Sequence, residues 1–165
     1  LERQFKAWHD GLPITFKPCA RLAPSAVECA EVAISETWFS IPMCASTMQS
    51  YHMAQIQLLI NKPQVSTQGD GSSVFDRAKS YSSSVQASQK HSREIVGIAL
   101  SRPEASVRIH SLQPLYTAGQ ILADDNERRL IVRLLRDIEK DTGWATEYRV
   151  QHLLEKWGWS DDELR

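Results

Sequence analysis

The segment 124–159, DDNERRLIVRLLRDIEKDTGWATEYRVQHLLEKWGW, constrains the fold more tightly than any other stretch of the chain. Leu130, Ile131, Leu134, Leu135 and Ile138 recur at intervals of three and four, which lines one face of a helix. Asp124 is placed to accept a backbone hydrogen bond at its N-cap, and Glu127 stands three residues on, as in a capping box. Gly143 ends that helix, because the residue just past a helix end often takes a positive φ that glycine tolerates. Trp144 is expected to pack in the corner. Thr146 then offers a hydroxyl to cap a second helix carrying Val150, Leu153, Leu154 and Trp157 on one face, and Gly158 closes it. The segment therefore predicts a helical hairpin.

The rest of the chain extends this pattern. Phe5, Trp8 and Leu12 at helical spacing, followed by Pro13, suggest a short amphipathic helix. Between residues 14 and 37 the signal weakens. Pro18 and Pro24 punctuate it, and Ser25 with Glu28 could cap a helix over 26–34, although a non-helical path serves as well. Ser40 ahead of Pro42 marks a helix entrance running to about Ile60. Cys44, Met48, Tyr51 and Leu58 form one stripe of that helix, and Ile41, Ala45, Ile56 and Leu59 form another. Apolar residues on several sides predict a central, buried helix. Residues 64–73, rich in Ser and Gly, read as a flexible connection.

Beyond it, Val74, Ala78, Tyr81, Val85, Ser88, Ser92, Ile95 and Ala99 keep one helical face, which Pro103 ends. Ser106 can cap the next helix, with Leu112, Leu115, Tyr116 and Ile121, where Pro114 should kink the helix or mark its true start. Nothing reads as a strand. The predicted class is all-α, a multi-helix bundle or stacked helical hairpins, in a single domain over 1–165.

Composition excludes several functions. A formal net charge of -1 lacks the positive excess that drives binding to nucleic-acid phosphates. The longest apolar runs fall well short of the ~18 residues needed to cross a bilayer. Cys19, Cys29 and Cys44 include no C-x-x-C pair, so no zinc site is expected in this segment, and each cysteine serves as well as a small buried hydrophobe. His9, His52, His91, His110 and His152 form no H-E-x-x-H pair, and no G-x-S-x-G elbow is present, so no catalytic constellation is expected. Arg129, Arg133, Arg136 and Lys140 line one side of their helix, opposite its apolar stripe. That stripe is either a solvated face or a docking surface for an acidic partner or neighbouring domain. Trp144, Trp157 and Trp159 suit core packing rather than ligand stacking.

LLRDIEKDTGW, the T-x-x-R-V helix start at Thr146 and the terminal WGW resemble the C-terminal part of the fungal-specific transcription factor domain, the regulatory region of fungal binuclear-zinc-cluster transcription factors. QPLYTAGQIL at 113–122 and ETWFSIPMCASTMQSYHMAQIQLLINKP at 36–63 resemble the preceding segment and the long central helix of that domain. The resemblance implies a fragment of a larger nuclear, non-enzymatic regulator. DNA and zinc would be bound only by an N-terminal module absent from this chain. It also implies control by a small-molecule effector, a transcriptional co-regulator or an intramolecular contact, with a homodimer as a further candidate. The alternative is a helical enzyme or small-molecule-binding domain with a pocket between helices.

Overall fold

The computed structural model describes residues 1–23, 33–62, 74–101 and 103–164. The connection expected at 64–73 lies outside these residues, as does the helix considered for 26–34 except at 33 and 34, which are not helical. In the described residues the architecture is a multi-helix bundle. Its helices are α1 (Glu2–Asp10), α2 (Pro42–Ile60), α3 (Val74–Leu100), α4 (Ala105–His110), α5 (Leu112–Gly119), α6 (Asp125–Thr142) and α7 (Glu147–Trp157). Short 3-10 turns occupy Ile14–Phe16 and Asp161–Leu164.

The expectation of no strand is corrected. β1 (Ala20–Leu22) pairs antiparallel with β2 (Glu36–Trp38), in the register Ala20 with Trp38, Arg21 with Thr37 and Leu22 with Glu36. Three residues are too few to show an alternating pattern, and the pairing joins segments well apart in the chain. β2 packs on α3, with Thr37 buried beneath it.

The main core gathers Ile95, Val96 and Ala99 of α3, Leu115 and Ala118 of α5, Leu130, Ile131, Val132, Leu134, Leu135 and Ile138 of α6, and Val150, Leu153 and Leu154 of α7. Only Ile56 of α2 enters this cluster among fully buried residues, while Ala45 and Met48 belong to a second cluster with Ile98 and Val107. α2 is flanked by α3, α4, α5 and the first 3-10 turn, which accounts for its apolar sides. The centre, however, is shared with the second half of α3. The first half of α3 is outside the core. Tyr81, expected on its buried face, is 65% exposed, because the apolar spacing persists where no described helix covers it.

Two entrance assignments also shift. Ile41, with extended backbone, is the N-cap of α2 and no side chain caps it, so Ser40 lies one residue too far upstream, while Pro42 takes the first turn as expected. Glu104, not Ser106, holds the N-cap position of α4. Pro114 is the third residue of α5, and its missing N–H matches the break between α4 and α5 at Ser111. That break is tied to the bundle by a buried polar bridge. Ser111 Oγ donates to Gln49 Oε1 (2.7 Å), and Gln49 Nε2 donates to the Ile95 carbonyl (3.2 Å), so the fully buried amide joins α2, α3 and the α4–α5 joint.

Candidate functional site

The α6–α7 corner positions the basic side of α6. Asp124 Oδ1 accepts from the backbone N–H of Asn126 and Glu127, both at 3.0 Å. The Glu127 side chain does not complete a capping box. It is buried and pairs with Arg93 of α3, accepting from Nε at 2.5 Å and Nη2 at 3.3 Å. Gly143 has φ 70° and ψ 7°, the left-handed conformation that ends α6. Trp144, expected to pack in the corner, is 54% exposed, because the glycine turn points it away from the core.

Thr146 is fully buried at the N-cap of α7, yet its side chain does not cap that helix. Its hydroxyl lies 2.8 Å from the Leu135 carbonyl and 3.0 Å from Glu139 Oε2. Glu139 Oε2 accepts the backbone N–H of Thr146 (2.7 Å) and Glu147 (2.9 Å), so a carboxylate from α6 satisfies the first donors of α7. These hydrogen bonds, the Thr146 backbone bond foremost, hold the Glu139 carboxyl below its ordinary pKa. Apart from Gly143 itself and its two chain neighbours, no described atom lies within 4 Å of where a Cβ on Gly143 would sit. Gly143→Ala should therefore lower stability by about 1–2 kcal/mol, all of it backbone strain. A denaturant titration checks this: an unchanged midpoint would show that the corner does not require positive φ.

The four cations of the α6 stripe fare differently. Arg136 donates to both oxygens of Glu147 (3.1 and 2.9 Å) and to Asp161 (2.8 Å). Its own pKa is raised, first by Glu147 and then by Asp161. Arg129 donates to the Glu163 carbonyl (3.2 Å), and its guanidinium stands 5.4 Å from the Trp159 ring centre. Arg133 and Lys140 are exposed along the same side. Part of the stripe thus holds the segment 159–164 of the same chain.

Trp157 behaves as a packing residue. Its Nε1–H donates to the Gly119 carbonyl (3.1 Å), its ring meets Trp159 edge-on with centres 5.3 Å apart, and the Arg128 guanidinium lies 5.3 Å over it.

A second concave surface lies between α1 and α2. A groove of about 460 Å³, lined by Gln4, Phe5, Trp8, Thr47, Ser50, Tyr51 and Ala54, presents three aromatic rings and no charged side chain. Tyr51 stacks on His9 at 4.8 Å and meets His52 edge-on at 5.3 Å. Beneath it, Nδ1 of His52 and Nδ1 of His91 stand 2.9 Å apart across the α2–α3 interface, so one ring donates and the other accepts. Sequence reasoning missed this arrangement. Phe5 and Trp8 showed the apolar face of α1, but no local signal pairs His52 with a histidine 39 positions away.

Burial, with the nearby His91, His9 and Arg21 charges adding to it, pushes His52 down to about 3, and burial likewise lowers His91. Both are lowered relative to the unfolded value near 6.5, so the folded protein binds fewer protons than the unfolded chain. The His52 contribution is present above pH 6.5 and is lost as pH falls from about 6.5 toward 3, with His91 acting in the same direction. Stability should decline there with up to ~1.4 kcal/mol per pH unit from the largely buried His52. Denaturation curves across that window test it, and an equal slope in His52→Gln would contradict the assignment.

Among the described residues, no three His, Cys, Asp or Glu side chains converge to hold a metal ion, and no helix is long and apolar enough to cross a membrane. Over 163 residues the chain is 52% identical to the transcription activator AMTR1 of Alternaria alternata. The match covers 95% of this chain. It spans only 21% of that relative, so the chain corresponds to about one fifth of the relative's length. No family model and no solved structure matches the chain.

Proposed function

We propose that this chain is a non-enzymatic regulatory region of a nuclear fungal transcription factor, acting on transcription by RNA polymerase II. The observation that carries the reading is the 52% identity to a transcription activator along nearly the whole chain. Such identity over 163 residues, shared with a transcription activator, supports a role in the same process. The charge balance agrees, because a chain of net charge -1 supplies no excess cation for duplex phosphates. DNA contact and zinc belong to a separate amino-terminal module of the binuclear-cluster type, and this region holds no zinc of its own.

Control would come from a shift between helix packings, which requires a ligand or partner that favours one of them. The α1–α2 groove is the site for an effector, since its volume and aromatic lining suit a small uncharged aromatic molecule. Tyr51 and the histidine pair connect that groove to the α2–α3 interface. The same groove is the pocket required by the alternative reading, a helical small-molecule-binding domain or enzyme.

The test is an in-frame deletion of this region from the full-length factor, with promoter occupancy and transcript output measured together. The proposal expects occupancy to persist while output rises or falls severalfold. Loss of occupancy would place DNA recognition in this region, and unchanged output would remove the regulatory role.

A further inference from the structure

The cation-rich side of α6 is covered by an acidic, aromatic piece of its own chain. Arg129, Arg133, Arg136 and Lys140 fall within about 60° of one another around the helix, at roughly 100° per residue. Of the five acids of α6, Asp125 pairs with Arg128 of the same helix and three more are engaged with other elements. Glu127 pairs with Arg93, Glu139 accepts the first N–H groups of α7, and Asp141 pairs with Arg108. Part of what balances the stripe comes from Glu147 and from the segment 159–164. Trp159 lies under the guanidinium groups of Arg128 (5.7 Å) and Arg129 (5.4 Å), Asp161 meets Arg136, and the Glu163 carbonyl meets Arg129. Glu163 also accepts the Ser160 N–H at 2.5 Å, which folds the segment into its turn.

The hold is weak. In the Arg136–Asp161 pair the side chains are 40% and 61% exposed, a setting in which ion pairs contribute about 0–1 kcal/mol. Trp159 and Leu164 are only partly buried against the core. The covering segment prevails chiefly because its tether gives it an effective concentration on the order of millimolar.

We propose that the arginine face of α6 is a docking surface for an acidic peptide bearing an aromatic residue, and that residues 159–164 occupy it in cis as a displaceable stand-in. The occupied state itself displays the recognition chemistry: the Asp161 carboxylate on the Arg136 guanidinium and the Trp159 indole face against Arg128 and Arg129. A protein partner with such a segment would compete for these groups, and release of residues 159–164 would open them.

The test uses the whole chain and a labelled synthetic peptide, Gly-Trp-Ser-Asp-Asp-Glu-Leu, with an Asn/Gln-substituted counterpart. The released variant carries Trp159→Ala, Asp161→Asn and Glu163→Gln. The acidic peptide should bind the released chain at least about tenfold more tightly than the unaltered chain, as expected when an intramolecular competitor is removed. Binding should weaken with salt and vanish in a released chain also carrying Arg129→Gln and Arg136→Gln. If circular dichroism shows the triple variant unfolded, Asp161→Asn alone should produce a smaller gain in the same direction. Equal affinity for the unaltered and released chains would overturn the proposal. So would equal binding of the neutral peptide, or equally effective competition by a DNA duplex, which would mark a generic polyanion surface.

Discussion

Gly97→Ala is expected to destabilise the chain by about 3 kcal/mol, because packing is already at contact there. A Cβ on Gly97 would sit 2.6 Å from the Ser35 carbonyl oxygen and 3.2 Å from Thr37 Oγ1. The obstacle is backbone, so the added methyl must push the segment leading into β2 away from α3. Thr37, buried in that seam, would lose its packing, and the Arg21 side chain that donates to its hydroxyl would be displaced. Gly119→Ala provides the contrast. There the nearest atoms, at 2.9 and 3.1 Å, are the tips of the Leu153 side chain, which can rotate. Its cost should be closer to 1 kcal/mol, at the low end for overpacking. Thermal unfolding of the two variants side by side checks the distinction, and equal losses would show that β2 does not press on α3 as described.

Trp157→Ala should cost roughly 3 kcal/mol, the low end for large aromatic truncations, because the ring is only partly buried. Three losses combine. The Gly119 carbonyl loses the indole N–H at 3.1 Å, the Arg128 guanidinium loses the ring face, and Trp159 loses its edge partner. The melting temperature should fall by about 6–12 °C for a chain of this length. Trp157→Phe should recover part of that loss by refilling the space without restoring the hydrogen bond. An unchanged melting temperature in Trp157→Ala would mean that the face of α7 is assigned wrongly.

What the sequence disclosed follows from the range of each interaction. Leu130, Ile131, Leu134, Leu135 and Ile138 are buried on α6 as their spacing requires, since helical periodicity is local. Pro42 and Pro114 marked helix starts for the same reason. Side-chain partnerships were less legible. Glu127 was assigned to the N-terminal cap of α6, whereas its buried carboxylate is claimed by Arg93 34 positions away. Thr146 looked like a cap and instead gives way to Glu139, because the corner brings a second helix within reach. The strands 20–22 and 36–38 are visible only as a pair. The arginine stripe was evident from its angular spacing. The segment 159–164 that covers it was not, because contacts between an irregular turn and a helix leave no period to read.

The central claim, that this region controls transcription, is tested most directly by tethering the chain to a heterologous DNA-binding domain upstream of a reporter gene. Promoter occupancy of the fusion is measured in parallel. The regulatory reading predicts that the unaltered chain changes reporter output severalfold over the tethering domain alone, at equal occupancy, and that Trp157→Ala moves output back toward that baseline. Reporter output identical to the domain alone for the folded, unaltered chain would contradict it.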